Sequence, residues 1–215
     1  MPDKDTKTLR DVIWFQYAKL IARSAFKLSD GHAAKKRCYG FIKNLFRELQ
    51  AGKKTWSDIT REDGQLADDE KRCVYCGNVE NLAHEHLVPM SLLISDRCPS
   101  CDKIQSTYNQ VWVCKSCKSA KGTMGMYTFF NLRMPEIRKF YDFLPASVEK
   151  KYLKTAYECL DCAKCLDAGD LDGDGELTVF DIDHALQTQG RLSGSASATR
   201  PDTGEDKPLF VIDRR

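Results

Sequence analysis

The sequence predicts an α+β protein in which a small clamped core is flanked by N- and C-terminal helices. Three observations carry that prediction. Nine of the ten cysteines fall in Cys-x-x-Cys units, and only Cys38 stands apart. Short segments of mixed apolar and polar residues lie beside two of those units. Amphipathic helical periodicity fills much of the chain on either side. With 215 residues, 42% of them hydrophobic, the chain is long enough to bury a core. Whole-chain charge, only +2, neither demands nor forbids a polyanionic partner. Its distribution is uneven: residues 1–60 carry 13 basic and 6 acidic residues, whereas residues 159–190 carry 1 and 8. One end suits a polyanion, the other a cation.

The elements follow in order. Residues 8–28 place Leu9, Val12, Ile13, Tyr17, Leu20 and Ile21 at the three- and four-residue steps of a helix. Residues 33–50 repeat the pattern with Phe41, Ile42, Leu45, Phe46 and Leu49, and Ser29-Asp30-Gly31 breaks the chain between them. Lys35, Lys36, Arg37, Lys43 and Arg47 on this second helix serve either as a solvated face or as phosphate contacts. This makes residues 1–60 a helical N-terminal region and residues 61–130 the core. In the core, residues 82–88 are expected to pair with residues 111–113 as a hairpin, with a helix starting at Lys115. Residues 131–190 form a second helical region. Its main helix spans 146–165, with Val148, Tyr152, Leu153, Ala156 and Tyr157 on one face and Pro145 as a start signal, and a short helix follows around 180–187. Residues 191–215 are expected to be a disordered tail, because 191–206 are too poor in apolar mass to offset the entropy of ordering. Leu209, Phe210, Val211 and Ile212 offer at most a docking strand.

No apolar run reaches the roughly 18 residues of a membrane span, and Met1-Pro2-Asp3-Lys4-Asp5 lacks the apolar stretch of a signal peptide. The expectation is a cytoplasmic protein without a membrane partner. In a reducing compartment, x-x spacing, which strains a direct disulfide, points to zinc rather than to a disulfide framework. Cys73, Cys76, Cys114 and Cys117 satisfy a closed tetrahedral zinc site, structural rather than chemical. Cys98 and Cys101 need partners of their own, and Cys159 and Cys162 are the ones expected to complete a second zinc site. The other reading leaves these as reduced thiols on a helix, since Cys165 continues the helical spacing.

Between the first and third pairs stand His84-Glu85-His86-Leu87-Val88-Pro89 and Asn109, and after the third come Lys118, Lys121 and Gly122. This stretch of about fifty residues resembles the HNH endonuclease family. The resemblance rests on both cysteine pairs, the acidic-His-x-x-Pro step, Asn109 ahead of a short apolar strand, and the Lys121-Gly122 helix end. It implies a zinc-clamped ββα-metal core that hydrolyses phosphodiester bonds of nucleic acid, DNA in the first instance. His86 would then be the general base, Glu85 a ligand of a catalytic magnesium or manganese ion, and Asn109 the brace of the His-bearing loop. A base that is neutral near pH 7 suits the activation of water, and a hard divalent ion suits a carboxylate and a phosphate oxygen.

The chain departs from the family at Lys118, where Asn or His usually supplies a further ion ligand. A protonated lysine cannot ligate a cation. Either Glu85 holds the ion with His84, Ser119 or water filling in, or Lys118 or Lys121 contacts the phosphate directly, or catalysis is weakened. His84 either supports the ion or is hydrogen-bonded within the sheet.

Asp170-Leu171-Asp172-Gly173-Asp174-Gly175-Glu176 and Asp181 place oxygen donors at positions 1, 3, 5 and 12 of a loop, with glycine at 6. The spacing resembles an EF-hand calcium loop, most like the dockerin variant, with Asp170, Asp172, Asp174, Glu176 and Asp181 around a structural calcium ion. A solvated acidic turn is the plainer reading. Two functions compete with a nuclease: a catalytically impaired, zinc-dependent nucleic-acid-binding protein, and a calcium-dependent interaction module on a zinc scaffold.

Overall fold

A computed structural model describes residues 4–26, 32–56, 71–90, 102–133 and 144–188. Seven helices and one two-stranded sheet make up these residues: α1 (Leu9–Phe26), α2 (His32–Gln50), β1 (Leu82–His86), α3 (Asp102–Gln105), β2 (Gln110–Cys114), α4 (Lys115–Lys121), α5 (Met126–Arg133), α6 (Ala146–Cys162) and α7 (Val179–Thr188). The mixed α+β expectation holds. A 3-10 turn, Thr107–Asn109, leads into β2. Cys98, Cys101, the break at Ser29-Asp30-Gly31 and the 191–215 tail lie outside the described residues. No helix among the described residues is long and apolar enough to cross a membrane.

α1 is the hub. The sequence shows one apolar stripe on it, yet Trp14, Phe15, Gln16 and Ala18 are buried together with Leu9, Val12, Ile13, Tyr17 and Leu20. The reason is that α2, α6 and α7 all pack on α1, so little of its circumference is left to solvent. Trp14 and Tyr17 meet Trp56 at ring centroid distances of 4.7 and 4.5 Å, which closes the end of the α1–α2 pair.

α6 buries Val148, Tyr152, Leu153 and Ala156 of the stripe expected of it, and Leu160 besides, whereas Tyr157 is only partly buried. It stops at Cys162 rather than running to Cys165. Lys164 takes a left-handed φ of 58°, Lys164 N donates to Asp161 O and Cys165 N donates to Leu160 O, the double bond of a Schellman stop. Glycine normally marks such a stop, so a lysine there leaves no sequence signal. Buried Glu149 on α6 accepts from Gln16 Nε2 of α1 at 2.7 Å and from Tyr127 Oη of α5 at 2.9 Å. One carboxylate thus ties three helices.

α5 has no amphipathic signal because Met126, Tyr127, Phe129 and Phe130 are buried on one face while the equally apolar Leu132 is exposed on the opposite one. Its start is held from α7, where the buried Asp183 carboxylate accepts from Thr128 N at 2.6 Å and from Tyr152 Oη. Gly125 precedes α5 because a Cβ there would overlap that carboxylate.

Burial pushes the Asp183 carboxyl up to about 6, against the hydrogen bonds from Tyr152 and Thr128 that favour its charge. The unfolded chain releases this proton near 3.8, so across that window the folded state binds more protons and stability falls as pH rises. Asp183→Asn keeps the shape and can still accept from Thr128 N. It is expected to remove a decline on the order of 2 kcal/mol between about pH 4 and 6, read as the difference between wild-type and variant urea midpoints across that range.

Candidate functional site

The site is built on β1 and β2, which pair antiparallel with Leu82 opposite Cys114, His84 opposite Trp112, Glu85 opposite Val111 and His86 opposite Gln110. Alternation sends Glu85, Val111 and Val113 to the buried face and His84, His86, Gln110 and Trp112 to the outer one. Residues 82–88 and 111–113 therefore pair as expected, and α4 packs on both strands.

Four thiols meet at one corner of this unit. The sulfurs of Cys73, Cys76, Cys114 and Cys117 all lie within 4.8 Å of one another, and Cys76 and Cys114 are 3.7 Å apart. A zinc ion with bonds of about 2.3 Å to four sulfurs needs edges of about 3.8 Å, so the set fits a metal ion such as zinc. The backbone shapes each corner. Gly77 N donates to Cys73 O in the first knuckle, and Cys114 Sγ accepts from Cys117 N at 3.5 Å as the N-cap of α4. Crowding splits the thiols: the Cys117 backbone amide draws Cys114 down to about 7, while burial pushes Cys117 and Cys76 up. A divalent cation would let all four ionise together.

Asn109 is fully buried beneath the turn that follows β1. Its Oδ1 accepts from Val88 N at 2.8 Å, and its Nδ2 donates to Val88 O and Ile104 O, both at 2.9 Å. Leu87 N donates to the Asn109 carbonyl at 2.9 Å. The amide thus pins the chain two residues beyond His86. Half-buried His86 has Nε2 3.3 Å from Gln110 Nε2. Burial lowers its pKa below the ordinary 6.5; Glu85 opposes the shift, and Lys118, Lys121 and His84 reinforce it. His84 stacks on Trp112 at 3.8 Å between centroids, and Lys71 Nζ lies 4.8 Å from the same indole ring. Gln110 and Trp112 were not among the expected site residues; strand register, which puts each opposite a histidine, is the signal that finds them.

Glu85 is only 8% exposed and both of its oxygens face ammonium groups. Oε1 lies 3.3 Å from Lys121 Nζ, and Oε2 lies 3.7 Å from Lys118 Nζ. Lys121 also donates to His86 O at 3.3 Å, and Lys118 to His84 O at 2.6 Å. Lys121 has no exposed surface, and burial lowers its pKa from the usual 10.5 while Glu85 draws it back up. The magnesium or manganese ion expected on Glu85 does not fit here. A hard divalent ion needs oxygen donors, and those of Glu85 and its two neighbouring carbonyls are engaged by two cations.

The acidic loop departs from its expected ligand set as well. Asp170, Asp172 and Asp174 converge within 4.8 Å, but Glu176 and Asp181 stand outside the cluster. Fully buried Asp181 instead accepts from Leu171 N at 2.9 Å and Thr178 N at 2.7 Å, stapling the loop to the start of α7. Amides of Gly173 and Gly175 hold the Asp170 carboxyl below its ordinary value. Three exposed carboxylates this close could hold a cation, with backbone carbonyls and water supplying the rest of the six to eight oxygens that calcium takes. For the second zinc, Cys159 and Cys162 lie on α6, one buried and one exposed, while their expected partners Cys98 and Cys101 are outside the described residues.

Comparison of the chain with protein-family models, with curated proteins and with solved structures finds no match.

Cys117→Ser is expected to lower zinc content by one ion per chain in elemental analysis after dialysis; an unchanged content would place any zinc elsewhere. Asn109→Ala orphans a buried amide and two buried carbonyls, and should cost about 2–4 kcal/mol in denaturant unfolding.

Proposed function

We propose that the protein is an endonuclease that hydrolyses phosphodiester bonds of nucleic acid, DNA in the first instance, with His86 as general base. One observation carries the reading. A histidine of lowered pKa ends a strand whose following turn is pinned by a buried asparagine, on a hairpin that meets its helix at four thiols able to hold a metal ion. The HNH resemblance supplies a use for the histidine, the asparagine and the four cysteines alike.

Water attacks phosphorus as a new P–O bond forms and the P–O3′ bond breaks. The proton of water moves to His86, and the departing 3′-oxygen takes a proton from solvent. A group whose pKa lies below 6.5 is neutral, and so ready to accept, throughout the neutral range. Turning the Gln110 amide over places its carbonyl on Nε2–H and leaves the Nδ1 lone pair for the water. Lys118, close to half exposed, is within reach of a phosphate oxygen, while Lys121 is sealed inside and positions Glu85.

Nicking of supercoiled plasmid tests the reading. His86→Ala is expected to lose about 10²–10⁴-fold in rate with zinc content unchanged. The wild-type rate should fall as pH drops through a value below 6.5 and stay level above it. If wild type and His86→Ala are equally inert on plasmid, single strands and RNA, yet bind them alike, the protein is a non-catalytic nucleic-acid binder.

A further inference from the structure

We infer that Lys118 stands in for a divalent cation beside Glu85, so that this pocket works with a fixed ammonium charge and takes up neither magnesium nor manganese. The catalytic half of this inference rests on the nuclease reading above; the cation half does not.

The oxygens at the pocket decide it. Glu85 Oε1 and Oε2, with the carbonyls of His84 and His86 on either side, are the donors that a hard ion at this spot would use. Lys121 engages Oε1 and the His86 carbonyl, and Lys118 engages Oε2 and the His84 carbonyl. Each ammonium thus bridges one carboxylate oxygen and one backbone oxygen of the same strand. Lys118 and Lys121 face Glu85, and Asp183 adds a second negative charge near Lys121, so the pocket's charges are already balanced and offer no net negative field to draw in a divalent ion.

The two lysines are not equivalent. Lys121 is sealed, with 0% exposure, so its charge neutralises Glu85 and orients it. Lys118 is 46% exposed at its side chain and sits on the last turn of α4, where the helix favours a cation. Its ammonium keeps donor capacity beyond the His84 carbonyl, because an ammonium carries three donors. A phosphate oxygen approaching from solvent therefore meets a positive donor already fixed in place, and preorganised donors of this kind stabilise charge that develops during the reaction.

Two measurements separate the inference from the reading it rests on. In zinc-loaded protein, manganese is titrated while the His84 and His86 imidazole signals are followed by NMR. Wild type is expected to show no selective broadening at millimolar manganese. Lys118→Asn, which replaces the ammonium by an amide oxygen on an exposed helix face, is expected to broaden both signals. Selective broadening in wild type at sub-millimolar manganese, or none in the variant, overturns the cation half. In the second measurement, plasmid nicking is followed in buffer stripped of divalent ions other than bound zinc. Wild type is expected to cut at the same rate, within about twofold, with or without added magnesium. Lys118→Asn should lose about 10²–10³-fold without it. Wild-type cutting only when magnesium or manganese is added sinks the inference and leaves the nuclease reading intact. Absence of cutting under every condition sinks the nuclease reading and with it the catalytic half, and the manganese titration then decides the rest.

Discussion

Four sulfur atoms meet within 4.8 Å of one another, a set that could hold a metal ion such as zinc, and they come from segments 38 residues apart at Cys76 and Cys114. A two-stranded sheet is marginal by itself in water, and a seven-residue helix is far too short to persist alone. A metal ion on the four thiols would remove both problems at one point. Cys114 is at once the last residue of β2, the N-cap of α4 and a corner of the cluster. Strand, helix and knuckle thus share one atom, Cys114 Sγ. The helix phase that aims Lys118 and Lys121 at Glu85 is set by that same residue.

Around this centre, buried charge is used sparingly and always with partners. Glu85 meets Lys121, Glu149 meets the amide of Gln16 and the hydroxyl of Tyr127, and Asp183 caps α5. Removing one member of such a set leaves the other uncompensated in a low-dielectric interior, which costs more than the pair contributes. These groups therefore act as alignment devices between elements. They fix where α5, α6 and α7 lie against α1 and the sheet, which the large and adaptable apolar core would tolerate in more than one arrangement.

Much of this was legible in the sequence, for identifiable reasons. Cysteine spacing, alternation near residues 82–88 and 111–113, and helical periodicity are local signals, and each located its element to within a few residues. What could not be read were properties set by three-dimensional phase. Lys118 follows the second knuckle in the chain, but only the helix turn begun at Cys114 shows that its ammonium lands on Glu85. Asp181 occupies a ligand position by count, yet its oxygens are spent on backbone amides at both ends of the loop. α5 escaped notice because it is apolar on several sides, and the end of α6 because Lys164 does what a glycine ordinarily announces.

The support behind the histidine-bearing turn reaches far from the sheet. Asn109 belongs to the 3-10 turn that, with α3, packs on α6, and α6 in turn rests on α1. The imidazole is therefore buttressed by a chain of rigid bodies that begins near the N-terminus. Shortening the molecule to its cysteine-rich middle would keep every residue that could do chemistry while removing the wall they lean on. Modularity, in this chain, does not follow the boundaries of its motif.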